Sequence, residues 1–250
     1  MKARRAAMVL PVLITLLVGA AVGGLVVVQN QEQSKQVAEA EAIGRDYLSA
    51  AGKFRSGVAK SIKDADSTKL EKVERALEKA TAEPPKLPPT SSYGRQNSST
   101  YREAIDVQST LLGPYEKLGR QLKEAQVAET FIAAARTVLE TRATDFVGAN
   151  VITDSVLVRS RLIPAFIAAR DTFDAVPVPN GQDELAATIR DAAQYVINQA
   201  TMLADRIDAN TSFSFSYAEE FQAAADDLND YATTVEGDVT EAVNAAIEAG

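Results

Sequence analysis

Apolar positions fall into two arrangements along the chain. Ala6 to Val28 form one unbroken run without a charged side chain, whereas from Tyr115 onward apolar residues recur every three or four positions with charges between them. The first arrangement predicts a membrane helix. Its 23 residues, at about 1.5 Å rise each, span roughly 34 Å and match a hydrocarbon core about 30 Å thick. Lys2, Arg4 and Arg5 precede the run, and basic residues on a short flank hold that end in the cytoplasm. Residues 1–5 are therefore expected as a cytoplasmic tip, 6–28 as a single-pass signal-anchor in the lipid bilayer, and the rest as extracytoplasmic.

A cleaved secretory signal is the rival, with Met8 to Leu17 as its apolar core and Val18-Gly19-Ala20 as the cleavage site. It fits less well, because the run continues to Val28 and exceeds the roughly 7 to 15 residues of a signal core. Arg4-Arg5 lacks the flanking residues of a twin-arginine signal. Gly19 and Gly23 have the Gly-x-x-x-Gly spacing that lets two membrane helices approach as a homodimer, although glycine is common in such helices anyway.

Beyond the run, residues 29–82 are polar, alanine-rich and free of proline, so a helical stalk and a short further helix are expected. Gly44, Gly52 and Gly57 weaken a helix by up to about 1 kcal/mol each relative to alanine. Thr68 with Glu71, Thr100 with Glu103, and Ser216 with Glu219 have capping-box spacing and predict helix starts. Residues 83–99, with Pro84, Pro85, Pro88 and Pro89 followed by small polar residues, predict an extended linker. Residues 100–250 then predict a bundle of four main antiparallel helices.

The breaks inside this bundle are marked by their chemistry. Gly113-Pro114 restarts a helix, Gly148-Ala149-Asn150 interrupts, and Val176-Pro177-Val178-Pro179-Asn180-Gly181 is a strong breaker. Asp154 or Ser155 should cap the helix in which Pro164 imposes a kink. Leu203 and Leu228 fall on apolar faces. Ser212-Phe213-Ser214-Phe215-Ser216 alternates, but so short a stretch beside a cap predicts a loop whose two phenylalanines seal the bundle end. The fold class is all-α.

Composition narrows the chemistry. The chain has no cysteine and no histidine, which removes Ser-His-Asp and Cys-His catalysis, imidazole or thiolate zinc sites, histidine-bound haem and cysteine-bound iron-sulfur clusters. No disulfide can support the fold, so an apolar core must. Against 26 basic residues stand 34 acidic ones, and setting aside Lys2, Arg4 and Arg5 leaves 23 against 34, a net charge of −11. Nucleic acid is not expected as a partner. A cysteine-free, alanine-rich exported chain with this anchor suggests a bacterium.

Arg206 is the last basic residue, after which come Asp208, Glu219, Glu220, Asp226, Asp227, Asp230, Glu236, Asp238, Glu241 and Glu248. Such a run is either a recruiting surface for cations or a solvated face. Asp64-x-Asp66 and Asp226-Asp227-x-x-Asp230 do not continue into a calcium loop, so no metal ligand is assigned. A carboxylate pair can hydrolyse glycosides without histidine, but acids are too abundant here to specify one and the chain has no tryptophan. No catalytic or cofactor residue is assigned. Tyr195, Phe221 and Tyr231 either line a pocket between helices or fill the core, and Pro114 and Pro164 offer places where the bundle opens.

In layout the exported part resembles the four-helix sensor domains of bacterial chemoreceptors, by helical pattern alone, without a second membrane helix, a signalling domain or a matching motif. The expected function is a non-enzymatic, membrane-anchored cell-envelope protein presenting an acidic bundle to a protein partner in the envelope. The alternative is a ligand-sensing domain that signals through a separate membrane protein.

Overall fold

The computed structural model describes residues 6–66, 69–147 and 152–250, with the backbone alone over 6–29 and side chains from Asn30 onward. The regular elements among the described residues are helices, and the all-α class holds. The charged tip Lys2, Arg4 and Arg5 and Thr68 of the first capping box lie outside the described residues, as do the side chains of the 6–28 segment, including its Gly19–Gly23 pair. Among the residues described with their side chains, from Asn30 onward, no helix is long and apolar enough to cross a membrane. The chain divides into two compact units, one of residues 1–61, 79–113 and 249–250, the other of 62–78 and 114–248.

The first unit is built on α1, Ala6–Asp64, which runs without a break and receives α3, Ser92–Asn97, and α4, Ser99–Thr110. Backbones approach closely here. A Cβ on Gly44 would lie 2.9 Å from the Thr100 carbonyl carbon, and one on Gly94 would lie 2.6 Å from the Gln36 carbonyl oxygen. Ser91 caps α3 by accepting from the Gly94 N–H at 3.0 Å and donates to Gln36 Oε1 at 3.1 Å. Tyr47, Ala51, Ala104 and Leu111 form the small core beside these contacts.

This arrangement corrects two expectations. Residues 83–99 are not extended throughout: 82–91 are non-helical, but Ser91 supplies the cap that lets 92–97 turn into α3. The Tyr101 hydroxyl donates to the Pro88 carbonyl at 2.8 Å and holds the proline stretch. The next helix starts from Ser98, not Thr100, because the buried Ser98 hydroxyl accepts from the Tyr101 N–H at 3.1 Å. Residues 100–113 consequently group with α1 and not with the bundle.

In the second unit α2, Leu70–Thr81, buries Val73 and Leu77, and Gln126 donates to Glu74 at 2.6 Å to tie it to α5, Gly113–Leu139. Pro114 sits in the first turn of α5, where its missing N–H has no intrahelical role. The short α6, Thr144–Val147, follows. Then come α7, Ser155–Leu157, a π turn at Val158–Leu162, and α8, Ile163–Asp174, as one continuous rod. The disturbance expected from Pro164 takes the form of this π turn: Ile163 donates to the Val158 carbonyl, five residues back, and the widened turn absorbs a residue without an N–H.

The bundle is completed by α9, Asp183–Asp208, and α10, Ala218–Glu248. Cross-links fix directions. Arg190 pairs with Asp174 and Arg159 with Asp205, so α9 runs antiparallel to α8. Phe131 meets Tyr231 while the Ala143 N–H donates to the Tyr217 hydroxyl, so α10 runs antiparallel to α5. Phe131, Phe166 and Phe173 are fully buried at the centre, with Leu203 and Leu228 buried beside them. Phe213 and Phe215 pack against this core from a non-helical loop.

The C-terminal end of α9 is a Schellman motif: Thr211 donates to the Arg206 carbonyl and Asn210, at φ 52°, donates to that of Ile207.

Candidate functional site

At the end of the second unit where α8 hands over to α9, a groove of about 430 Å³ opens between α5 and α10. From α5 come Gln121, Glu124, Ala125, Val127 and Ala128; the small side chains at 125 and 128 leave the floor low. From α10 come Tyr231, Thr234, Val235, Asp238 and Val239. The third wall is the connecting loop, through Val178, Pro179, Asn180 and Gln182.

That loop is held by its own chemistry. Pro179 is buried, the Gln182 N–H donates back to the Pro179 carbonyl at 3.1 Å, and Gly181 has φ 78°. These are the features of a type II turn, whose third position needs the left-handed conformation that glycine adopts freely. The Val-Pro-Val-Pro-Asn-Gly breaker thus builds a wall as well as ending a helix.

Tyr231 stands with its ring 6.2 Å from that of Phe131, edge to face, and burial pushes its hydroxyl pKa up. Val127 is 37% exposed, an apolar side chain left in water at the rim. Among the described residues the charged side chains lining the groove are Glu124 and Asp238, on opposite walls, and no lysine or arginine lines it. Both carboxylates are exposed, so the groove lacks the contrasting burial by which paired acids divide into proton donor and base.

The sequence-predicted residues are distributed as follows. Of the three aromatic candidates only Tyr231 reaches the groove. Phe221 is buried in the core against Phe166 and Tyr217, and Tyr195 is half-buried beside α10, its hydroxyl pKa raised by burial and then by the Glu220 carboxylate. From the acidic C-terminal run, Asp238 lines the groove. Asp226 accepts from Gln222 at 2.7 Å, and Asp66 pairs with Lys72 at 3.1 Å. Among the described residues no three acidic side chains converge as a metal site. Neither Pro114 nor Pro164 lines this groove, which lies beside Pro179 instead. Glu124 and Val127 carried no sequence signal, being one acid and one valine on a long amphipathic helix.

The opposite end of the bundle is tied by a polar network. Arg159 donates at 2.8 Å to both Asp205 and Asp208, and Ser155 donates to Asp208. The Ser155 hydroxyl and then the Arg159 guanidinium hold the Asp208 carboxyl below its usual range, and the two carboxylates push the Arg159 pKa up. All of these groups are at the surface, where they join α7 and the π turn to α9. Comparison of the chain with protein families, curated proteins and solved structures finds no match.

Proposed function

We propose that this chain is a single-pass, membrane-anchored protein of the cell envelope that works by binding another protein and performs no catalysis. Ala6–Val28 is the anchor in this reading, the short basic end faces the cytoplasm, and the helices beyond it are extracytoplasmic. Gly19 and Gly23 offer a contact for pairing two anchors as a homodimer.

The groove of the second unit carries the binding role: its floor is apolar, Val127 is left exposed, and each charged side chain lining it is a carboxylate. Exposed apolar surface rimmed by charge marks interaction sites on folded proteins. The lack of histidine and cysteine supports a non-catalytic role. A second reading, a sensor whose groove takes a small ligand and which signals through a separate membrane partner, is favoured by the volume of about 430 Å³, within the roughly 300–1,000 Å³ of small-molecule sites.

Site-specific photocrosslinking in the native membrane tests the proposal. Full-length protein with a photoreactive residue at Val127 is expected to give a discrete protein adduct, and the same probe at the exposed Met202 on α9 is expected to give none. A mature N-terminus beginning near Ala21 would overturn the anchor. No adduct at Val127, together with a small metabolite that raises the unfolding temperature of the protein, would replace the binding role by the sensor.

A further inference from the structure

Resting on that binding role, we infer that the occupant of the groove is a cationic peptide segment with an apolar anchor. The apolar side chain enters between Val127 and Val235, and lysine or arginine flanking it meets Glu124 and Asp238. Charge selects this occupant. The two carboxylates stand on opposite walls, so a segment lying along the groove meets a negative charge on either side. Beyond Arg206 the chain has no basic residue, and Asp227 and Asp230 on α10 extend the negative potential around that wall. Such a field raises the encounter rate of a cationic segment and rejects an acidic one.

The α5 side sets the orientation. Lys117, Arg120 and Lys123 are exposed on that helix but line no part of the groove, so the more basic end of the segment belongs on the α10 side. Shape points the same way. The floor accepts side chains from a short segment, and the loop wall is already fixed by Pro177, Pro179 and the Gly181 turn, so little ordering of the protein opposes binding.

The test uses full-length protein in nanodiscs of zwitterionic lipid, with empty nanodiscs subtracted. The probe is a labelled hexapeptide of two leucines flanked on each side by a pair of lysines, and binding is read by fluorescence anisotropy. Replacing its leucines by serine, or its lysines by glutamate, is expected to weaken binding about tenfold or more. The double variant Glu124→Lys/Asp238→Lys is expected to weaken the leucine-lysine probe about tenfold, while Glu219→Lys/Asp226→Lys, with the same change in net charge on faces of α10 that do not line the groove, leaves it within about twofold. Val127→Ser, which keeps every charge, is expected to weaken it as well. Unchanged unfolding midpoints would show that each variant is folded.

Equal losses from the two charge-reversal variants would overturn the inference in favour of diffuse attraction, and so would equal binding of the serine probe. A protein adduct at Val127 that persists in Glu124→Lys/Asp238→Lys would also overturn it, while leaving the binding role standing.

Discussion

The two units join helices by different means. In the second unit, large side chains from four helices interdigitate: Phe131, Phe166 and Phe173 are fully buried, and the Phe131 and Phe173 rings lie 5.2 Å apart. In the first unit, the core beside α1 is small and rich in alanine, and what brings α3 and α4 onto α1 is the absence of side chains at Gly44 and Gly94. One unit depends on filled volume and the other on backbone proximity. Removing side-chain volume should therefore harm the second unit, whereas adding it at the close approach should harm the first.

The largest effect is expected in the bundle core. Phe131→Ala removes a ring that touches both Phe173 and Tyr231, and should cost about 3–5 kcal/mol by leaving a cavity among helices that cannot collapse onto it. Leu228→Ala, on the face of α10 turned to the same core, should cost about 2–5 kcal/mol. Chemical unfolding followed by hydrogen exchange, read peptide by peptide, checks both, because loss of protection should concentrate in residues 114–248. Protection lost evenly over the chain would show that the two units unfold as one, and the comparison would fail.

Next comes Gly44→Ala. The new methyl would meet Thr100 backbone atoms at 2.9 Å, and backbone cannot swing aside as a flexible side chain can. The overpacking should cost about 1–3 kcal/mol, only partly offset by the better helix propensity of alanine. Exchange protection in α3 and α4 should fall while the bundle is unaffected. The sharper control is Gly52→Ala, on the same helix with nothing within 4 Å of the added methyl. It should stabilise by about 0.5–1 kcal/mol, since the residue is helical and exposed. If both changes have the same sign, close approach is not what holds the first unit together.

The difference between the units also explains how far each could be read from sequence. Apolar side chains at helical spacing announced α5, α9 and α10, and placed Leu203 and Leu228 in the core, because interdigitating packing writes its period into residue type. Close backbone approach leaves no such period. Gly44 predicted only a weaker helix, and nothing distinguished it from Gly52 or Gly57; the difference arises from Thr100, far away in sequence. Ser91 and Ser98 as caps were obscured for a related reason, since four prolines nearby argued for extended chain and several serines competed for the role. The groove was legible in parts only. Its proline-glycine turn stood out, whereas Glu124 and Asp238 met across it through the topology, and Asp238 was one of many acids in its helix.

The smallest expected effect concerns the polar network at the other end of the bundle, and it asks whether surface electrostatics adds anything to a unit held by its core. The Ser155 hydroxyl and the Arg159 guanidinium depress the folded pKa of Asp208 below the unfolded value, so its charged form is favoured in the folded state. The stabilisation is therefore present above the unfolded value of about 4 and is lost as the pH falls through the lower folded value. Asp208→Asn removes the charge and keeps the size. The unfolding midpoint of the variant should lie slightly below that of the parent at neutral pH, and the gap should close in acid. Because Asp208, Asp205 and Arg159 are all at the surface, added salt should also narrow the gap at neutral pH. A gap that widened in acid would mean that the network opposes the fold, and a gap as large as that of Leu228→Ala would mean that α7 and the π turn are held chiefly by charge.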